Sequence, residues 1–289
     1  MILPVLIYLF LFYYKPMYGL VIAFKDYKIT RGIEGSNWSN PWYKWFLNFF
    51  TDPYFGRLLK NTFMISGLTI LFGFPAPIIL ALMINEVKNS AFKRTVQTIT
   101  YMPYFISMVV LCGLLKTFSM QDGLFSQIAT VFGGKAQNFL ANPNYFRTIY
   151  VLSDIWSGIG WNSIIYLAAL SSIDQEQYEA ARVDGANRFQ QMLHITLPGL
   201  VPTIMILFIL RMGNILNVGY EKILLLYNSA TYSTADVIST YTYRLSFGGS
   251  GNPMYSKSTA IGLFNTIINV FFLMLTNMIS KKATDAGLF

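Results

Sequence analysis

Few residues in this chain are of types that perform catalysis or bind metals. Among its 289 residues there is one histidine, His194, and one cysteine, Cys112. A metal site built from these residue types, or a disulfide, needs several of them together, so neither can form within one chain. The sequence also lacks the G-x-x-x-x-G-K-[ST] pattern that binds nucleotide phosphates. We therefore expect no catalytic residue, no metal site and no cofactor bound by this chain.

A second group of candidates consists of polar residues inside apolar segments. Such residues are costly away from water, and for that reason they often mark functional sites. Two sets stand out: Asp154, Gly158, Trp161 and Asn162 in one segment, and Arg211, Asn214 and Asn217 in another. The second set is spaced at i, i+3 and i+6, which predicts one face of a helix. Both sets could instead join helices, with an architectural Asp154–Arg211 ion pair. Glu221 and Lys222 could form a gate, a docking contact or a solvated pair, and we interpret them as a solvated pair.

The segment from residue 172 to residue 198 has a different character. Asp174 can cap a helix that contains Glu176 and Glu179 in its early turns, an order that the helix dipole favours. Two alanines follow and give the helix a small face, and Gly185 permits a turn. The apolar stripe beyond it consists of Phe189, Met192, Leu193 and Ile195. The pattern predicts a short helix to which another protein can bind. An amphipathic helix lying at the membrane interface would share these features.

The elements that position these residues are predicted to be membrane-spanning helices. Hydrophobic residues make up 54% of the chain and charged residues 12%, about half the charged fraction of an ordinary soluble domain. A spanning helix needs about 20 mostly apolar residues. Six segments qualify, at about 2–24, 59–84, 97–118, 147–171, 199–217 and 259–280. We therefore predict an all-α integral membrane protein with a single transmembrane domain over residues 1–289, surrounded by lipid.

Prolines are expected to disturb two of these spans. Pro16 lies in the first, and Pro75 and Pro77 lie in the second. Because proline lacks a backbone N–H and its ring clashes with the preceding turn, we expect a kink in the second span and either a bend or the end of the helix near Pro16 in the first. Neighbouring helices would then satisfy the freed backbone groups.

The net charge of +8 does not indicate a nucleic-acid partner. The 21 lysines and arginines are scattered among aromatic residues, without the clustered basic face that phosphate binding needs. With six spans and the N-terminus inside, basic residues are at least as numerous on the outer side as on the cytoplasmic side. Their count alone therefore does not decide the orientation.

The 172–198 segment resembles a known signature. Glu179-Ala180-Ala181, three residues, Gly185, nine residues, Ile195, one residue and Leu197-Pro198 match the pattern E-A-A-x3-G-x9-I-x-L-P of permeases in binding-protein-dependent ABC importers. Other stretches are similar to sugar permeases of the maltose-permease type, and within them to a Gram-positive subfamily associated with complex oligosaccharides and polysaccharide fragments. Those stretches are residues 14–19, 23–27, 161–170 and 219–227.

The resemblance implies the fold of a type I importer permease with a cytoplasmic coupling helix. The residues it implies for contact with an ATPase are Glu179, Ala180, Ala181, Arg182, Asp184, Gly185 and Arg188. The implied partners are a second related permease, two ATPase subunits that bind ATP and Mg, and an extracellular sugar-binding lipoprotein. The implied location is the plasma membrane of a Gram-positive bacterium, with the 172–198 segment in the cytoplasm.

The same resemblance gives the two polar sets a role in the substrate pathway. In permeases of the maltose type, the helices before and after the coupling segment contribute sugar contacts. Amide groups suit sugar hydroxyls and aromatic faces suit the apolar side of a sugar ring, so Asn214, Asn217 and Trp161 are the leading candidates. Two other functions stay open: a carrier or channel that works alone, and a membrane-embedded enzyme acting on lipid-linked sugar. The enzyme would need acidic residues clustered beyond the isolated Asp154.

Overall fold

The computed structural model describes residues 2–248, 253–284 and 287–288. Apart from the isolated bridges Lys25–Trp38 and Lys28–Gly32, the regular structure in these ranges is helical, which confirms the predicted all-α class. The principal helices are α1 (Leu3–Phe24), α2 (Lys44–Phe50), α3 (Phe55–Glu86), α4 (Ser90–Tyr101), α5 (Met108–Ser119), α6 (Leu124–Val131), α7 (Pro143–Ser171), α8 (Gln175–Val183), α9 (Arg188–Met212), α10 (Tyr220–Leu226), α11 (Ile238–Phe247) and α12 (Tyr255–Thr284). Short helical turns lie at Ile29–Arg31, Gly32–Gly35, Met102–Phe105, Phe139–Ala141, Ser229–Thr231 and Tyr232–Ala235.

Five stretches in the described residues are long and apolar enough to cross a membrane. They are α1, α3, α5 together with α6 (Met108–Val131), α9 and α12. Four of them cover or overlap the spans predicted at 2–24, 59–84, 199–217 and 259–280. The span predicted at 147–171 lies within the 29-residue helix α7, whose polar residues keep it outside this apolar group.

The third predicted span, 97–118, is wrong as a single helix. Helix α4 passes into a tight turn at Met102–Phe105, and Ile106 and Ser107 are then extended. The Ser107 hydroxyl accepts a hydrogen bond from the Val110 N–H at 3.4 Å and so caps the start of α5. The residues on both sides of this break are similarly apolar, so hydropathy alone did not reveal the break.

Three prolines in long helices follow directly on widened, π-type turns. The turns are Phe10–Tyr14 before Pro16, Thr69–Gly73 before Pro75 and Met192–Thr196 before Pro198. A wider turn accommodates the proline ring and the missing backbone donor. The disturbance expected at Pro16 and Pro75 therefore takes the form of a local widening, and α1 and α3 continue beyond it.

The chain divides into two compact units, each with its own core. The first consists of Met1–Thr62 and Asp236–Ile268, and the second of Phe63–Ala235 and Asn269–Phe289. Buried residues of the first core are Phe49, Leu58, Ile238, Tyr241 and Ile261. Those of the second are Ala81, Tyr166, Leu170 and Leu200. All residues predicted to be functional lie in the second unit.

A buried carboxylate organises the first unit. The Asp236 side chain is 1% exposed. It accepts two hydrogen bonds of 2.8 Å from the Arg244 guanidinium and one of 2.8 Å from the Thr240 hydroxyl, and Arg57 lies 3.4 Å away. Bidentate contact of this kind compensates for the cost of removing the charges from water.

A second ion pair in the same unit predicts pH-dependent stability. Asp52 accepts hydrogen bonds from Lys257 at 2.6 Å and from the Tyr241 hydroxyl at 2.5 Å. Burial alone would raise the pKa of Asp52, but these hydrogen bonds hold it below its ordinary value of 3.8. A carboxylate with a lowered pKa stabilises the fold above its unfolded pKa, and the contribution is lost as the pH falls through the folded pKa. We expect thermal melting to show Asp52→Asn destabilised at pH 7, with the difference from the unmodified protein shrinking below about pH 4. A difference that stays constant down to pH 3 would contradict this.

Candidate functional site

The 172–198 segment begins with the helix that the sequence predicts. Asp174 caps α8, since its carboxylate accepts a hydrogen bond of 3.0 Å from the Glu176 N–H. Glu176 occupies the first turn and Arg182 the last turn. Each charge therefore complements the helix dipole at its own end.

Gly185 provides the turn after α8. Its φ angle is +81°, in the left-handed region that favours glycine. The Gly185 N–H donates to the Arg182 carbonyl at 3.1 Å, and the Ala186 N–H donates to the Ala181 carbonyl at 2.8 Å. These bonds satisfy the last carbonyl groups of α8 and reverse the chain.

The chain re-enters a helix earlier than predicted. Asn187 and Gln190 form a capping box, with reciprocal hydrogen bonds of 2.8 and 2.9 Å. From Arg188 the helix α9 runs without interruption to Met212. The helix therefore begins before residue 199, where the predicted span starts, because hydropathy does not register a polar first turn.

Side-chain contacts brace the segment against the start of α9. The Tyr178 hydroxyl lies 3.0 Å from the Thr196 hydroxyl, and the Gln191 amide donates to the Ala186 carbonyl at 2.8 Å. Ile173 packs so closely on Gly199 that a Cβ atom there would lie 2.7 Å from the Ile173 Cδ1. The segment is therefore tied to α9 at several points.

The outer face of the segment presents the residues expected to contact an ATPase. Of these, Glu179, Ala180, Arg182, Asp184, Gly185 and Arg188 are exposed, and Ala181 is half-buried. None of the four charged members forms an ion pair within the described residues. Two large apolar side chains add to this face, because Val183 is 89% exposed and Phe189 is 63% exposed.

The second candidate region is a cavity with both polar and apolar lining residues, formed by two adjoining spaces of about 380 and 350 Å³. Thr69, Asp154, Arg211 and Asn214 line both spaces. Gly158 and Asn162 line only the larger space, and Asn217 lines only the smaller one. The structure thus brings together six of the seven predicted pathway residues.

Trp161, the seventh, is placed differently. Its ring stacks on Tyr104 with a centroid distance of 4.6 Å and an interplanar angle of 5°, and Phe105 meets its edge at 5.6 Å. Both partners belong to the helix break that follows α4. The position of Trp161 is therefore explained by packing against that break.

The predicted helical face of Arg211, Asn214 and Asn217 is only partly correct. Helix α9 ends at Met212, so the two asparagines lie in the turn that follows. The turn keeps a helix-like repeat of three residues, because it contains i to i+3 hydrogen bonds. In one of them, the Asn217 N–H donates to the Asn214 carbonyl at 3.0 Å. The Asn217 side-chain amide also donates to Asn214 Oδ1 at 3.1 Å.

Sequence reasoning missed the part played by Lys222. The interpretation of Glu221 and Lys222 as a solvated pair is wrong for the lysine, which is 2% exposed. Lys222 Nζ donates to the Tyr150 carbonyl at 3.0 Å, lies 4.5 Å from the Tyr150 ring centroid and is 3.4 Å from Asp154 Oδ1. Asp154 is therefore paired with Lys222, and the Asp154–Arg211 ion pair is not among the ion pairs of the described residues. The only signal was that Asp154 needs a counter-ion, and nothing in the sequence singled out Lys222.

Comparisons with known proteins agree with the geometry. Residues 73–285 match the family model described as the binding-protein-dependent transport system inner membrane component. The chain is 42% identical over 290 residues to the polygalacturonan/rhamnogalacturonan transport system permease protein YteP of Bacillus subtilis, covering 100% of this chain and 89% of that protein.

Solved structures give the same result. A bacterial ABC transporter involved in the import of the acidic polysaccharide alginate contains a chain that is 45% identical, with a TM-score of 0.88 and coverage of 98% of this chain and 94% of that one. A chain of the alginate transporter in complex with an alginate pentasaccharide-bound periplasmic protein is 44% identical, with a TM-score of 0.89 and coverage of 99% and 94%. This chain therefore belongs to the family of inner membrane components of binding-protein-dependent transport systems.

Proposed function

We propose that the chain is the permease subunit that forms half of the translocation pathway in an ATP-driven importer of oligosaccharides. The observation that carries this proposal is the continuity of α9. One end of this helix is tied to the exposed 172–198 segment, and the other end places Arg211 at the cavity. Force applied to the segment can therefore reach the cavity along one continuous helix.

The proposed partners follow from this arrangement. A second related permease would complete the pathway, two ATPase subunits would bind ATP and Mg, and a sugar-binding lipoprotein outside the cell would deliver the substrate. Residues 1–289 would act as one transmembrane domain, with the 172–198 segment in the cytoplasm. The exposed Glu179 and the apolar Val183 and Phe189 provide a mixed polar and apolar surface for the ATPase.

The proposed mechanism is alternating access. ATP binding would draw the segments of the two permeases together and turn the pathway from inward-facing to outward-facing beneath the loaded binding protein. The energy comes from the partner subunits. This chain supplies the docking surface, the connecting helix and the polar lining.

The substrate class is supported by two observations. The named relatives transport polygalacturonan or rhamnogalacturonan and alginate. The cavity lining includes three asparagines, Asn162, Asn214 and Asn217, and amide groups can donate to and accept from sugar hydroxyls.

Glu179→Ala tests the docking role. We expect uptake of the substrate to fall about tenfold, because the loss of one charge-assisted hydrogen bond at the interface is worth about that factor. The amount of protein in the membrane should stay the same, since Glu179 is exposed and outside the ion pairs of the described residues. Glu176→Ala is the matched control, because Glu176 is an exposed residue on the same helix outside the signature. Equal uptake by the two variants and the unmodified protein would contradict the proposal.

A further inference from the structure

We propose that Arg211 binds a carboxylate of the substrate, so that this permease transports oligosaccharides that carry uronic acid residues. This inference rests on the proposed function, because it names the chemical class of the solute that passes through the cavity. It assigns to Arg211 a different task from the surrounding amides. The arginine recognises charge, and the amides recognise hydroxyl groups.

Arg211 is placed at the junction of the cavity. It lines both the larger and the smaller space, and its side chain is exposed to them. Within residues 2–248, 253–284 and 287–288 it forms no ion pair. Its positive charge is therefore available to a solute in either space.

Among the residues that the structure describes, the other charges of the cavity leave Arg211 as the free cation of the larger space. The charged residues of the lining are Asp154, Arg211, Glu221 and Lys222. Asp154 lies 3.4 Å from Lys222, which is itself buried and also donates to the Tyr150 carbonyl. Glu221 is exposed and lines only the smaller space. Asp154, which lines the same two spaces as Arg211, is thus already paired with Lys222.

The depth of Arg211 makes an unpaired charge costly. Arg211 lies 13 residues after Pro198, and Asp154 lies 17 residues before Ser171. At 1.5 Å per residue, Arg211 is about 20 Å along α9 from Pro198, the last residue of the 172–198 segment, and Asp154 is about 25 Å along α7 from Ser171, the end of that helix. Both depths fall within the roughly 30 Å of a hydrocarbon layer. A charged side chain at such a depth is retained where it serves a pathway or a partner.

A carboxylate is the partner that fits this side chain best. The guanidinium group is planar and presents paired N–H donors, which match the two oxygens of a carboxylate. Asn214 and Asn217 adjoin it and are joined to each other by a hydrogen bond of 3.1 Å. A uronic acid unit carries both groups that such a site recognises, one carboxylate and several hydroxyls.

The test measures uptake by the complete transporter, with its second permease, ATPase and binding protein, in proteoliposomes. The probes are radiolabelled trigalacturonate, which is charged, and maltotriose, which is neutral. The variants are Arg211→Gln, which removes the charge, and Arg211→Lys, which keeps it. Lys135→Gln is the matched control, because it removes a positive charge from an exposed residue that lies outside the cavity lining.

We expect trigalacturonate uptake to fall about tenfold or more in Arg211→Gln, the effect of losing a charge-assisted contact. Arg211→Lys keeps the charge but loses the paired donors, so it should lose less uptake than Arg211→Gln. Lys135→Gln should match the unmodified protein. Unchanged uptake in Arg211→Gln, or equal losses in Arg211→Gln and Arg211→Lys, would overturn the charge role. Uptake of maltotriose alone would overturn this inference and leave the proposed function standing. Uptake of neither probe by the unmodified transporter would count against both.

Discussion

Gly160→Val is expected to prevent correct packing of the second unit. Gly160 is a buried residue of α7, and a Cβ atom added there would lie 2.1 Å from the Thr100 carbonyl oxygen of α4 and 2.4 Å from the carbonyl carbon. Neither position belongs to a flexible side chain, so α4 and α7 would have to separate. Small residues allow helices to approach in this way in membrane proteins. The cost of overpacking at such a contact is about 3 kcal/mol or more.

The measurement is the yield of monodisperse protein and its melting temperature in detergent. Gly113→Val is the matched control, because Gly113 lies on α5 and an added Cβ would find no atom within 4 Å. We expect a large loss for Gly160→Val and a small change for Gly113→Val. Equal melting temperatures for the two variants would show that the contact between α4 and α7 does not limit stability.

Asp236→Asn should strongly destabilise the first unit. The substitution keeps the shape of the side chain but removes the charge that faces Arg244 and Arg57. Neutralising one partner of a fully buried ion pair costs about 3–5 kcal/mol. The Arg244 side chain is 26% exposed and can be partly hydrated, so we expect a cost towards the lower end of that range.

Asp26→Asn provides the comparison for Asp236→Asn. Asp26 also forms an ion pair, at 2.9 Å from Lys44, but its side chain is 38% exposed and that of Lys44 is 40% exposed. An exposed pair of this kind contributes about 0–1 kcal/mol. Thermal melting of the two variants side by side should show a much larger shift for Asp236→Asn. Similar shifts in melting temperature would mean that burial of the Asp236 cluster does not increase its contribution to stability.

Local signals in the sequence predicted local structure well. Asp174 caps α8 and Gly185 forms a left-handed turn, because both effects depend on residues only a few positions apart. The grouping of Asp154 with Arg211 and Asn214 was also predictable. Each is a polar residue in an apolar segment, and such residues face a shared interior more often than lipid.

Long-range contacts were not predictable in the same way. The pairing of Lys222 with Asp154 joins residues 68 positions apart, and no periodicity connects them. The break at Ile106 and Ser107 was missed because hydropathy measures apolarity and not backbone direction. The start of α9 at Arg188 was also missed. Its first turn is helical but polar, and hydropathy does not identify a polar turn as part of a spanning helix.

We propose above all that this chain transports its saccharide only when an ATPase is bound to the 172–198 segment. In the most direct measurement, the tagged chain is purified from membranes of cells that express the whole transport system, and the proteins that accompany it are identified. The purification is then repeated with a variant in which Val183 and Phe189 are both changed to Asp. We expect an ATPase and a second permease with the unmodified chain. The variant should lose the ATPase and keep the second permease. Saccharide transport by the purified chain alone, in proteoliposomes without an ATPase, would contradict the claim.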